Sequence, residues 1–122
     1  MAIEHDIPKI PTPLRVLFEF ESTGWFETSQ EERKESILPK LSEILAGWEQ
    51  YGARMVGTID RDIFTAGAAG SKGWHACLLY DVPTWEAVAA MTNSFRATGL
   101  DRYFRLEAIV GRPFFLLEKA ES

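Results

Sequence analysis

The chain of 122 residues is 46% hydrophobic and 25% charged, with nine Gly, six Pro and one Cys, the make-up of an ordinary globular domain able to bury about two thirds of its unfolded surface. A lone Cys77 forms no internal disulfide and no Cys/His cluster offers zinc ligands, which excludes a disulfide scaffold or structural zinc site and makes a reducing cytoplasm the expected compartment. Thirteen Lys and Arg against eighteen Asp and Glu give a formal charge of -5, the wrong sign for neutralising nucleic-acid phosphates, and no apolar run approaches the ~18 residues of a bilayer span. Residues 1–6 lack the charged and apolar regions of a signal peptide. Neither nucleic acid nor a membrane is therefore an expected partner.

Residues 1–13 contain Pro8, Pro11 and Pro13 and read as an extended N-terminal arm, because proline fixes φ and gives no amide hydrogen. Ile3, Ile7 and Ile10 would let that arm pack over a neighbouring subunit. Residues 14–122 read as one domain. From Leu14 the alternation puts Val16, Phe18 and Phe20 on one face of a strand and Arg15, Leu17, Glu19 and Glu21 on the other. Ser29 and Glu32 then have the spacing of a capping box. The helix that follows carries an apolar stripe of Ile37, Leu38, Leu41, Ile44, Leu45 and Trp48. Pro39 inside it would cost about 3 kcal/mol in a regular helix, so a kink or restart is expected at residues 36–39.

Gly52 supplies a left-handed cap, and residues 53–60 read as a strand in which Gly57 marks a bulge or a close approach. Residues 61–65 continue it or turn. The small-residue connection at 66–73 lacks the ending of a phosphate-binding loop and leads into a strand. Residues 74–81 are nearly continuously apolar, as expected of a central strand buried on both faces. Pro83 and Thr84 open a second helix with Trp85, Val88, Ala89 and Phe95 on its expected inner face, and Gly99 follows its end. A last strand at about 103–110 precedes an apolar tail, Phe114 to Leu117, too apolar to leave in water.

The order β-α-β-β-α-β predicts an α+β, ferredoxin-like domain: a four-stranded antiparallel sheet with both helices on one face. The other face then needs a cover, and a homodimer closing two sheets into an α/β barrel around a cavity supplies it.

Three segments carry a family resemblance: Trp25-Phe26-Glu27-Thr28-Ser29-Gln30-Glu31-Glu32-Arg33, Asp60-Arg61-Asp62-Ile63-Phe64-Thr65-Ala66, and Arg96-Ala97-Thr98-Gly99-Leu100 with Tyr103-Phe104. Over most of residues 14–112 the chain resembles the darcynin-like family of small bacterial domains. The resemblance implies kinship with the small accessory protein of bacterial indole-acetic acid catabolism. More distantly it points to dimeric α/β-barrel monooxygenases, isomerases and dehydratases acting on aromatic or polyketide substrates. The Gly-rich stretch at 67–73 is longer here than in the family pattern.

Among the residues suited to chemistry, His75 lies in the most apolar strand, where a near-neutral pKa suits acid or base catalysis; the structural reading is a histidine bonded to a backbone carbonyl. Strand parity groups His75 with Cys77, Leu79 and Asp81, and Tyr80 with Trp74, Ala76 and Leu78. If the second group faces the cavity, Tyr80 becomes the polar handle. Glu19 is the second catalytic candidate, with Arg15 or Arg54 expected to pair with it, since a buried carboxylate needs a partner. Asp60 and Asp62 suit turn chemistry or ion pairs to Arg61 or Arg96 rather than a catalytic pair from one chain. Trp25 is a candidate for stacking on an aromatic ligand. Cys77 reads as an inert core thiol.

Two functions fit these residues. One is a cofactor-independent oxygenase, isomerase or lyase acting on a small aromatic or conjugated molecule, with His75 and Glu19 catalytic and Arg15, Arg54, Tyr80, Trp25 and Asp60 binding. The other is a non-catalytic metabolite-binding or pathway accessory protein. No cofactor motif and no metal site is read from the sequence; a haem-binding variant would use His75 as proximal ligand.

Overall fold

The computed structural model describes residues 13–63, 66, 75–114 and 116–118. The N-terminal arm up to residue 12, most of the Gly-rich connection, Trp74 and the side chain of His75 lie outside the described residues.

Strand β1 (Leu14–Ser22) follows its alternation: Leu14, Val16, Phe18 and Phe20 are buried, while Arg15, Leu17, Glu19 and Glu21 are half-buried. A 3-10 turn (Trp25–Glu27) leads to Ser29, whose hydroxyl accepts from the Glu32 amide at 3.0 Å and caps α1 (Gln30–Glu32). A π-helical turn (Arg33–Ile37) joins α1 to α2 (Leu38–Trp48). The restart expected from Pro39 takes this form: the widened turn accommodates a ring that would otherwise crowd the preceding carbonyl. The helical run closes in a 3-10 turn (Glu49–Tyr51), and Gly52 at φ +83° ends it.

Strand β2 (Arg54–Asp60) pairs with β3 (His75–Val82), and the register shifts between Met55 and Gly57, so a bulge forms where the glycine suggested one. Thr84 caps α3 (Trp85–Ala97) by accepting from the Ala87 amide at 3.1 Å. Its buried stripe is Ala87, Val88, Met91 and Phe95. Trp85, expected inward, is half exposed and Ala89 is exposed, because the stripe is centred on the 88–91–95 line and both residues sit to its side. Gly99 at φ +79° and a 3-10 turn (Leu100–Arg102) deliver the chain to β4 (Phe104–Gly111).

The sheet has the order β2-β3-β1-β4 with every pairing antiparallel. With α2 and α3 packed on one face, this is an α+β fold compatible with the ferredoxin-like arrangement. The core sits between helices and sheet around Trp48, which is fully buried. Its indole N–H donates to the Met91 carbonyl and to Ser94 Oγ, both at 3.0 Å, and its ring lies 4.7 Å from Phe18 and 5.5 Å from Tyr80. Among the described residues no helix is long and apolar enough to cross a membrane.

Candidate functional site

Residues directly opposite each other in an antiparallel sheet share a face. Val16 lies across from Tyr80 and Phe18 across from Leu78, so Ala76, Leu78, Tyr80 and Val82 belong to the helix-covered face. The uncovered face is built in rows across the sheet. One row is Arg54, Asp81, Arg15 and Gly111; the next is Gly57, Leu79, Leu17 and Ile109; the third is Ile59, Cys77, Glu19 and Glu107. The backbone of His75 pairs with Glu21, beside Arg105, in a fourth.

The first row contains the one buried charge among the described residues, Asp81, 7% exposed. Its Oδ1 accepts from Arg15 Nε at 2.9 Å and its Oδ2 from Arg54 Nη2 at 2.7 Å. This corrects the expectation that Arg15 or Arg54 pairs with Glu19. Register explains it: Asp81 stands directly across from both arginines, whereas Glu19 is two rows away. Glu19 forms no ion pair with any described residue, and its cross-strand neighbour Glu107 pairs with Arg105 at 3.0 Å instead. Cys77, 4% exposed, has its thiol pushed up in pKa, first by burial and then by Glu19, against an opposing contribution from Arg61. Both the burial and the raised pKa disfavour the thiolate that a nucleophile requires.

Two further candidates sit elsewhere. Tyr80 is 2% exposed and packs against Phe18 and Trp48 on the helix side; it is a core residue, not a polar handle, and burial raises its pKa. Asp60 ends β2, exposed and across from Ala76. Neither it nor Asp62, in the turn that follows, forms an ion pair with Arg61 or Arg96, because both are exposed to solvent, where pairing contributes little.

Trp25 leads to a feature the sequence reading did not locate. Beneath the start of α2 lies a half-enclosed cavity of about 190 Å³. Phe20, Ala76, Leu78 and Phe104 of the sheet form its floor; Leu38, Leu41 and Leu45 of α2 and the Trp25 ring complete its lining, and no polar surface enters it. Trp25 is held in place from behind. Arg33, the first residue of the π turn, donates to the Trp25 carbonyl from Nε at 3.1 Å and Nη2 at 2.8 Å, and its guanidinium lies 4.9 Å from the indole centroid. Thr28 Oγ1 donates to the same carbonyl at 2.6 Å. The Leu38-Leu41-Leu45 stripe was visible in the sequence; that it stands off the sheet far enough to leave a void was not.

The two faces therefore divide the chemistry. The helix side holds an apolar chamber whose lining has no titratable group, and the uncovered face holds Arg15, Arg54 and Asp81 with Glu19 and Glu107. Among the described residues no group of three or more His, Cys, Asp and Glu is placed to hold a metal ion. The fold and these surfaces define a small α+β domain with one sheet face covered by helices. Compared with known proteins, the chain matches no protein-family model and no curated protein.

Proposed function

We propose that this protein is a homodimeric α/β-barrel domain of the darcynin-like kind that holds a small aromatic or conjugated metabolite between α2 and the sheet without transforming it. One observation carries the reading: the cavity of about 190 Å³ is lined wholly by apolar side chains, three of them aromatic. A cavity of about 150 Å³ lined by Leu, Ile and Phe stays dry and takes up benzene, so a slightly larger one suits a monocyclic or small fused ring. Acid or base catalysis needs a titratable group within hydrogen-bond reach of the ligand, and this lining has none. Titration of the methyl-labelled protein with indole is expected to shift Leu38, Leu41 and Leu78. Leu41→Trp, which fills the chamber, is expected to abolish those shifts, with Ala76→Leu as a second filling variant. Shifts that persist in both variants would overturn the reading.

The dimer rests on the uncovered face. Its middle rows expose Ile59 and Ile109, at 61% and 56%, beside Leu17 and Leu79, an apolar band that a second sheet would cover.

A catalytic reading is favoured by Glu19 alone, a half-buried carboxylate that forms no ion pair among the described residues and faces the space a second subunit would close. In that reading the protein is a cofactor-independent oxygenase, isomerase or lyase with Glu19 as proton acceptor. Screened against conjugated aromatic ketones by ultraviolet absorbance, the wild type would then show turnover that Glu19→Gln lowers by about a hundredfold or more. Equal rates in the two proteins exclude it.

A further inference from the structure

We propose that Arg15 and Arg54, fixed by the buried Asp81, form a binding site for a small organic carboxylate on the uncovered sheet face, and that the Glu118 side chain is its intramolecular occupant. The site stands apart from the apolar cavity, on the opposite side of the sheet.

The charge count comes first. Asp81 spends both carboxylate oxygens on the two guanidiniums, at 2.9 Å and 2.7 Å, so one negative charge meets two positive ones. The surplus is carried by an arginine that is largely withdrawn from water, since the Arg15 side chain is 20% exposed. A partly desolvated guanidinium whose Nε is already committed presents its remaining N–H groups in a fixed direction, the geometry that suits a carboxylate. A carboxylate is what is found there. Arg15 Nη1 donates to both oxygens of Glu118, at 3.0 Å and 2.8 Å.

Glu118 reaches the site from a short turn, in which the Leu117 and Glu118 amides donate to the Phe114 carbonyl at 2.9 Å and 2.8 Å. Leu116 and Leu117 on that turn are 72% and 84% exposed, and the Glu118 side chain is 49% exposed. Lifting Glu118 away therefore unburies little apolar surface at those positions, and the contact to be replaced is a solvent-accessible ion pair. Asp81 and its arginines would stay behind, preorganised, for an incoming carboxylate of similar reach.

The test uses the whole chain and sodium benzoate as probe, with sodium chloride at equal ionic strength as control, read from the Arg15 Nε–H resonance. Glu118→Gln is expected to tighten benzoate binding by about twofold to fivefold, the worth of an exposed ion pair. Arg54→Gln, an exposed position that leaves Arg15 on Asp81, is expected to weaken it, and Arg15→Gln to abolish it. Leu41→Trp should leave it unchanged, which separates this site from the apolar cavity. Equal benzoate affinity in the wild type and Glu118→Gln, or the same shifts from chloride, would overturn the proposal.

Discussion

Trp48 is the residue on which most of the packing converges. It is fully buried, touches the rings of Phe18 and Tyr80, and spends its N–H on the Met91 carbonyl and Ser94. Trp48→Phe keeps an aromatic ring but opens a void and takes the N–H from both acceptors. A loss of about 2 to 3 kcal/mol is expected by urea denaturation; a change under about 0.5 kcal/mol would show that Ser94, whose hydroxyl also donates to Met91 at 2.7 Å, satisfies that carbonyl alone. Cys77 yields a pH prediction. Burial holds its folded pKa above the ordinary thiol value, so the folded chain keeps this proton to higher pH than the unfolded one. The resulting stability is complete below about pH 8.5 and is lost as pH rises through the folded value. Tyr80 acts in the same direction from about pH 10. Melting temperature is therefore expected to fall across the alkaline range, and less steeply in Cys77→Ala; identical slopes would remove Cys77 from the account.

At the scale of elements, the local signals were the legible ones. The Ser29 cap, the Pro39 interruption and the Gly52 ending each depend on a few adjacent residues, and each stands where its chemistry placed it. Gly52 is the most constrained: at φ +83° a side chain is strained, and a Cβ there would sit 3.0 Å from Pro83 Cγ. Gly52→Ala is expected to cost at least about 1 kcal/mol in chemical denaturation. An unchanged midpoint would mean that the cap relaxes at no cost. The inner face of α3 is less legible, since Trp85 is apolar enough to suggest burial. A large ring beside the capping residue instead ends half in solvent because Val88, Met91 and Phe95 already fill the contact with the sheet.

For the whole molecule, the decisive asymmetry is a sheet that, among the described residues, is covered by helices on one side only. The exposed apolar band formed by Ile59 and Ile109 predicts sedimentation at about twice the 13.8 kDa chain mass. Ile109→Lys is expected to shift the equilibrium to monomer without unfolding, because it places a charge on the exposed apolar band of the proposed interface and lies outside the buried core. A wild type that remains monomeric at micromolar concentration would refute the paired-sheet arrangement.

What the sequence determined by itself was the order and type of elements and which residues of β1 share a face, because period-2 and helical stripes are local and survive any rearrangement of neighbours. It also identified Arg15, Arg54, Glu19 and Trp25 as residues needing explanation. Only the tertiary structure decided their partners. Strand register, a relation between residues 66 and 27 positions apart, gave both arginines to Asp81 and left Glu19 without an ion pair to any described residue. Parity fixed that Tyr80 and His75 alternate but not which of them belongs to the core, and the void under α2 depends on how far a packed helix stands from its sheet. Those are distances between segments remote in the chain, and composition and periodicity carry no measure of them.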